Sequence, residues 1–436
     1  MEPRTLAPGF WRDDRGAITA LGLFMAATMM LVGAVAVDIA YAYRARAELQ
    51  NAADAVAHAA LFTRELDDSD ASKDKALALL ETSFPTARYG GIIGSSDIEF
   101  GTWDPDTHVF TPDPLSDDAT RVVSRFSGRR GNALGMFLMR LVGEDAWDVS
   151  AESVFETYRP TCFREGFVAQ DVVDVQSNNV YTNGFCIHSN THVKVSSGNF
   201  FADSTIVSMP DKNDLELPNS GFESNDGLYE ALRDGVYRMR ILNRLPMIVA
   251  ELEDPVSELQ PDYITSVTVL HPEPTAKKLL PEDFTEGHVH TLSCNGKGSV
   301  TFQAGTYSNM VFVTDCDLKF NNGVILDNVV IATTSTDPKS INAPSGLQIG
   351  RDDHCAPDGG AQVITFGGFD VASDLKIFGG QILALGDIAF SANANGIEGA
   401  SFVAMGTISG TSNMTMGFCG SGMERNFEAE FFRLVQ

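Results

Sequence analysis

Residues 310–332 read MVFVTDCDLKFNNGVILDNVVIA. Runs rich in Val, Ile and Phe are cut at short intervals by Thr-Asp, Asn-Asn and Asp-Asn, the composition of short strands joined by polar turns. The same rhythm continues outward on both sides. It is found in VVDVQSNNV (172–180), HVKVSSGNF (192–200), VTFQAGTY (300–307), LKIFGGQILALGDIAF (375–390) and SFVAMGTISG (401–410). Many short strands of this kind predict an all-β solenoid or sandwich. No single hairpin dipeptide recurs between the pieces, and runs such as ILDNVVIA and QILALGDIAF suggest stacked rungs. A right-handed β-helix is therefore favoured for residues 159–209 and 286–436, with a β-sandwich as the alternative.

The six cysteines, Cys162, Cys186, Cys294, Cys316, Cys355 and Cys419, all fall in this part of the chain. Cys162 and Cys186 are 24 positions apart, and Cys294 and Cys316 are 22 apart, close to the length one coil of a β-helix consumes. Stacked strands lie about 4.8 Å apart, within the Cα separations that disulfides accept, so residues on neighbouring coils could bond, and sequential pairing 162–186, 294–316 and 355–419 is expected. Six cysteines permit 15 connectivities in principle. Metal binding by these thiols has little support, because no Cys-x-x-Cys spacing occurs. Between the two β-rich stretches, residues 210–285 open on an acidic, turn-rich segment. Leu228 to Glu253 then shows helical spacing with a break near Pro246, which predicts an inserted helical lid or flank. Pro255, Pro261, Pro272, Pro274 and Pro281 mark an extended return path.

The N-terminal part differs in every respect. Ala17 to Val37 is 21 residues without a charge, and at about 1.5 Å per residue a helix of that length spans roughly 30 Å, the hydrocarbon thickness of a bilayer. A cleaved signal would have a shorter apolar region, although Ala40-Tyr41-Ala42 imitates a cleavage site. The run instead predicts a retained transmembrane helix over 17–42. Arg4, Arg12 and Arg15 before it and Arg44 and Arg46 after it barely discriminate orientation. An even number of cysteines on a long acidic segment suits an oxidising compartment. Residues 1–16 are accordingly expected in the cytoplasm and the bulk of the chain in the periplasm. Phe10 and Trp11 on one side, and Tyr41 and Tyr43 on the other, are candidates for the two membrane interfaces.

The whole chain of 436 residues carries 31 Lys+Arg against 58 Asp+Glu, a net charge of −27. That excess disfavours nucleic acid as a partner, since affinity for phosphates comes from cations. Hydrophobic residues at 44% and charged residues at 20% exclude a wholly disordered chain.

From Asp38 to Phe62 the sequence DIAYAYRARAELQNAADAVAHAALF lacks Gly and Pro and is strongly helix-forming, so the helix should continue beyond the span. Leu49, Ala52, Ala53, Val56 and Ala60 recur at 3–4 residue spacing and form a narrow face that another element can approach closely. Asp38 is the odd residue, because a carboxylate at the end of an apolar span needs hydration or a partner. Hydration at the interface and contact with another membrane helix are the two expectations for it.

Asp-Arg-Gly-Ala before the span, Val-Asp at its far end and Arg-Ala-Glu-Leu-Gln-Asn-Ala-Ala-Asp-Ala after it resemble the N-terminal signature of TadE/TadG-like Flp pilus-assembly proteins, over about residues 12–62. The resemblance implies a bitopic inner-membrane component of a type IV-like (Tad, Flp) pilus machinery, with pilus-machinery proteins or pilin as partners and no enzymatic role. Two departures place the chain nearer the larger TadG-like members. Gly16 is followed five residues later by Leu21, not by the Glu of processed prepilins. No Asp-x-Ser-x-Ser run of a von Willebrand A metal site occurs, Asp203-Ser204-Thr205 being only superficially similar.

Residues 43–158 complete a predicted pilin-like α+β module. It has a helix over Ser72–Ser83, alternating pieces at 98–103, 121–126 and 146–158, and an apolar helix over Asn132–Val142. The fold class expected overall is thus a membrane-anchored α+β chain with a mostly-β C-terminal domain. For catalysis, Asp315 and Asp317 would share a strand face by period two, as would His288 and His290, while His188 and His192 sit four apart. Each pair suits surface or turn hydrogen bonding better than a site, and no phosphate loop or Gly-x-Ser-x-Gly elbow is present. No cofactor or metal is expected. The function expected is a structural and interaction one, with a pilus-associated adhesin binding a substratum or envelope glycan as the first alternative and a polysaccharide-active enzyme as the second.

Overall fold

The alanine-rich N-terminal segment forms a single helix, α1 (Ala17–Arg64), 48 residues long. The computed structural model describes residues 17–65, 67–182, 184–274, 277–295, 298–410 and 413–436. The expected cytoplasmic tail 1–16, with Phe10, Trp11, Gly16 and its arginines, lies outside the described residues. The chain divides into two units, one running to Tyr158 and taking in Glu430–Gln436, the other Arg159–Ala429.

In the first unit α1 packs on an antiparallel sheet. Its strands are β1 (Ile98–Asp104), β2 (Val109–Pro112), β3 (Ala119–Phe126) and β4 (Val149–Tyr158), in the order β2-β1-β3-β4, with Phe431–Leu434 added at the β4 edge. A second helix, α2 (Ser69–Ser83), starts where the Asp68 side chain accepts a hydrogen bond from the Ala71 amide, and buries Ala76 and Leu80. The core joins Leu49, Ala52, Ala53, Val56 and Ala60 of α1 to Ile98, Phe100, Val122 and Ala151 of the sheet. Alanines on that face let the helix backbone come close to the strands. Ser124 Oγ donates to the Leu49 carbonyl at 2.8 Å, and Gln50 Nε2 to the Glu152 carbonyl at 2.9 Å.

The helix expected over Asn132–Val142 does not form. Leu134–Gly135 pairs antiparallel with Ala146–Trp147, and only Met139–Val142 turns, as one 3₁₀ segment. Gly135 interrupts the run, at a cost to helix of about 1 kcal/mol relative to Ala, and the piece left between it and Gly143 is too short to nucleate. Gly143, at φ +96°, ends the turn in a conformation that favours glycine.

The second unit is built on one sheet in which, among the described residues, every pairing between strands is parallel. Gly166 pairs with Cys186 and Cys186 with Ile206, an advance of 20 residues at each step. The next row repeats this in Val173↔Val193, and the third in Val180↔Phe200. On the far side of the insert, 288–292, 310–314 and 329–333 continue the first row, followed by 361–365, 380–384 and 400–404. Ser401–Ala404 then pairs with Gly166–Ala169, Ile408 with Val173 and Met416 with Tyr181. The chain thus enters in the middle of the stack and runs to one outermost strand at Leu232–Asp234. It resumes at the opposite outermost strand, Val269–Leu270, and works back until its last strands meet its first.

Several strands are apolar at consecutive positions because both faces are covered. In the VVIA run, Val329 and Ile331 point into the interior with Phe312 and Ile349, while Val330 and Ala332 face the helix α3 (Arg240–Leu252). Helix α3 offers Ile241, Leu242, Leu245, Ile248, Val249 and Leu252 at 3–4 residue spacing. It runs through Pro246 without breaking, giving up only the hydrogen bond that the missing N–H would have made to the Leu242 carbonyl. Of the two expectations, lid or flank, it is the flank, a core layer on the outside of the sheet.

Two boundaries also differ from expectation. The segment 210–285 contains Leu232–Asp234, Val269–Leu270 and Lys278–Leu279, which join the parallel sheet. Residues 431–434 leave the β domain, and Phe431 pairs with Tyr158 of β4.

Candidate functional site

Two features of α1 bear on function, its bare N-terminal half and the point where folded structure begins. The helix Ile18–Arg64 is long and apolar enough to cross a membrane, and its apolar stretch has no buried residue. Ile18, Leu21, Phe24, Met29, Met30 and Val32 are all exposed. Such a surface is stable only in an apolar surround, and the 20 residues from Ile18 to Val37, at about 1.5 Å each, match the roughly 30 Å of a bilayer core.

Asp38, the next residue, is fully buried. Its carboxylate has partners that neither expectation named, the backbone of a loop of the same unit. Oδ1 accepts from the Phe137 amide at 2.9 Å, and Oδ2 from the amides of Leu138 at 2.9 Å and Met139 at 2.6 Å. The loop after Met136 thus closes on the helix at its first charged position, and its free N–H groups, the orphans of a turn start, supply the donors that the carboxylate needs. Phe137 also sets its ring edge-on to Tyr41, with centroids 5.2 Å apart. A groove of about 610 Å³ opens nearby, lined among others by Tyr41, Arg44, Glu48, Arg88 and Tyr89. Arg44 meets Glu48 at 3.3 Å, and the Arg88 guanidinium lies 5.0 Å from the Tyr89 ring centre. Deeper in the unit the buried Asp97 holds Arg130 at 2.6 Å and Arg125 at 3.1 Å, and accepts from the Gly94 amide.

The small-residue face of α1 is occupied. Leu49, Ala52, Ala53, Val56 and Ala60 are buried against the unit's own sheet, so a partner helix cannot use them. The 3–4 residue spacing was legible, but nothing in it distinguishes a strand of the same chain from a helix of another. The loop over 136–142 was hidden as a docking element because its apolar run reads as a helix.

In the β domain the structure bonds Cys162 to Cys186, Cys294 to Cys316 and Cys355 to Cys419, with Cα separations of 4.9, 5.2 and 5.9 Å. Asp315, Cys294 and Cys316 lie together, but both sulfurs are in the disulfide and cannot act as thiolates. Asp315 and Asp317 do not share a strand face, because Asp315 sits in the turn between Thr314 and the strand starting at Asp317. Asp315 accepts from the Cys294 amide and from Ser293 Oγ, while Asp317 accepts from Ser335 Oγ at 2.6 Å.

The histidines are also engaged. His188 is buried, bonded to Ser208 Oγ at 2.7 Å and Asn190 Oδ1 at 2.9 Å, and burial holds its pKa below the usual value. His192 lies 3.3 Å from Glu216. His290 accepts from the Thr285 amide at 3.1 Å, and burial pushes its pKa down to about 4. His288 Nδ1 lies 2.9 Å from the Glu286 carbonyl oxygen.

Buried Asn179, Asn199 and Asn225 form a ladder. Asn179's amide donates to Asn199 Oδ1 at 2.9 Å, and Asn199's amide to Asn225 Oδ1 at 3.1 Å. Glu165, pushed upward in pKa by burial, accepts from the amides of Cys419 and Gly420 beside the third disulfide. These groups tie neighbouring segments of the β domain together.

A long apolar helix that leads into a folded module defines the class, and residues 16–65 match the family model described as putative Flp pilus-assembly TadE/G-like. The resemblance read from the Arg-Gly-Ala and Arg-Ala-Glu-Leu-Gln-Asn blocks is thereby shown. The larger match lies further on. Residues 166–420, more than half of the chain, match the model described as domain of unknown function (DUF7867), and the chain belongs to that family. The matched segment opens on the first strand of the parallel sheet, Gly166, and closes one residue past Cys419. No curated protein and no solved structure matches.

Proposed function

We propose that the protein is a non-enzymatic, single-pass component of a Tad (Flp) pilus machinery. Ile18–Val37 crosses the inner membrane, residues 1–16 stay in the cytoplasm, and the bulk of the chain is periplasmic. In this reading the β domain is a right-handed β-helix that binds the pilus or an envelope partner, and α1 meets other machinery helices through its bare half, not through its alanine face. The observation that carries the proposal is the continuity of an unburied apolar span with the pilus-assembly match over 16–65. The 20-residue register and the asparagine ladder support the β-helix, since each rung repeats the bonds of the last.

Fractionation after alkaline extraction tests the placement, and protein found shed or on the cell surface refutes it. Deleting the gene should abolish piliation. Intact pili with lost attachment would instead make the protein an adhesin for a substratum or glycan.

A further inference from the structure

Asp38 fixes a second element at the level where the apolar span ends. The loop it binds carries Phe137, Leu138 and Leu141 with relative exposures of 57, 37 and 79%. Three large apolar side chains on one short turn are costly in water unless something covers them. Arg140 stands exposed among them, and the strongly exposed Arg44 lies about one and a half turns beyond Asp38 on α1. The surroundings are mixed in charge, since Arg44 also meets Glu48 at 3.3 Å and the exposed Glu144 and Asp145 follow the loop, so Arg140 is the cation set directly among the apolar side chains.

We infer that residues 137–141 form a second, interfacial membrane contact. Phe137, Leu138 and Leu141 enter the headgroup and upper acyl region, while Arg140 and Arg44 meet lipid phosphates. This rests on the reading of Ile18–Val37 as a span. The occupant follows from continuity, because the loop is bonded to the residue that directly follows the exposed apolar helix, so the surface that buries Val37 reaches Phe137 as well. Apolar residues interleaved with arginine are the chemistry of interfacial seating on anionic lipid. Tyr41, stacked edge-on against Phe137, and the exposed Tyr43 have the amphipathic rings that favour the same zone. The consequence is orientation. A single helix leaves its ectodomain free to swing, whereas a helix with a loop seated beside it holds the module at a set tilt.

The test uses the full chain in nanodiscs of phosphatidylcholine and phosphatidylglycerol, with a nitroxide on Phe24→Cys, Leu141→Cys or Leu115→Cys. All three positions are well exposed, so labelling leaves the core intact. Leu115 is the aqueous reference, because its carbonyl accepts from Arg64, roughly 40 Å along α1 from Asp38. Accessibility to oxygen relative to a water-soluble nickel chelate should be several-fold higher at 141 than at 115, and highest at 24. A label at 24 in the bilayer with 141 matching 115 overturns the loop contact and leaves the span intact. A label at 141 shielded from both reagents means that protein covers the loop and also overturns the proposal. An aqueous label at 24 removes the span, and the inference with it.

Discussion

Asp38→Ala is the sharpest perturbation of the arrangement at the base of the module. It deletes a buried acceptor of three backbone N–H groups, those of Phe137, Leu138 and Met139. Hydrogen bonds to a charged group contribute about 1.5–3 kcal/mol each net, but they are not additive, and the exposed loop can return some donors to water. A loss of about 2–4 kcal/mol in the free energy of opening the loop follows. Since about 1.4 kcal/mol is tenfold in an equilibrium, amide exchange at 137–139 should accelerate by roughly 30- to 700-fold. Exchange at Val122 and Ala53, in the core of the same unit, is the internal control. Asp38→Asn should fall between, because its one carbonyl can replace Oδ2, which takes two bonds, and its amide group then faces the Phe137 amide without accepting. Hydrogen exchange followed by mass spectrometry or NMR in a detergent micelle reads the effect. An Asp38→Ala protein that keeps its fold and exchanges at 137–139 within about threefold of wild type would refute the account, since that is under about 1 kcal/mol.

Ala53→Leu adds three carbons where α1 meets the sheet and should destabilise the first unit by about 1–3 kcal/mol in denaturant unfolding; no change would mean that the face is loosely packed. Asn199→Ala removes the middle of the asparagine ladder, and a loss of about 1–3 kcal/mol in the β domain is the expected outcome of denaturation with urea. A non-reducing peptide map should return only the pairs 162–186, 294–316 and 355–419, and replacing the first pair with serines should cost about 3 kcal/mol by chain entropy. For pH, the unfolded state binds more protons than the folded state between the ordinary histidine value and the value of about 4 for His290. Stability of the β domain should therefore decline as pH falls from about 6.5 towards 4, and His290→Gln should lose part of that slope. Equal slopes in the two proteins would rule out His290 as the source.

The sequence carried the long elements well and the short ones poorly. α1 and α2 follow from uninterrupted helix formers, and the β character of the second unit from Val, Ile and Phe runs between polar turns. The position of α3 was legible from Leu228–Glu253, but its role was not, because amphipathic spacing is the same for a lid and for a layer packed on a sheet. The strands at 232–234, 269–270 and 278–279 span two or three residues, too few for any period to register. At the candidate site the identity of Asp38 as the anomalous residue was legible from its place at the end of an apolar run. Its partners lie 99–101 residues away in the chain, and backbone donors leave no side-chain signature to search for. Asp315 and Asp317 show the converse error, since a period-two count holds only inside a strand.

The chain order of the strands has a consequence for manufacture. Gly166–Ala169 is made early but finds one of its two neighbours only when Ser401–Ala404 has been made, and β4 waits for Phe431–Leu434. Neither unit can be completed stepwise as the chain is made, because the pairings that finish both span more than two hundred residues. A polypeptide stalled or clipped before residue 400 would present an open edge at Gly166–Ala169 in the parallel sheet and another at β4 in the antiparallel one, the kind of unpaired edge that proteases and chaperones find. Closure of these two seams acts as a completeness check, so that only a chain synthesised past both of them reaches its assembled form.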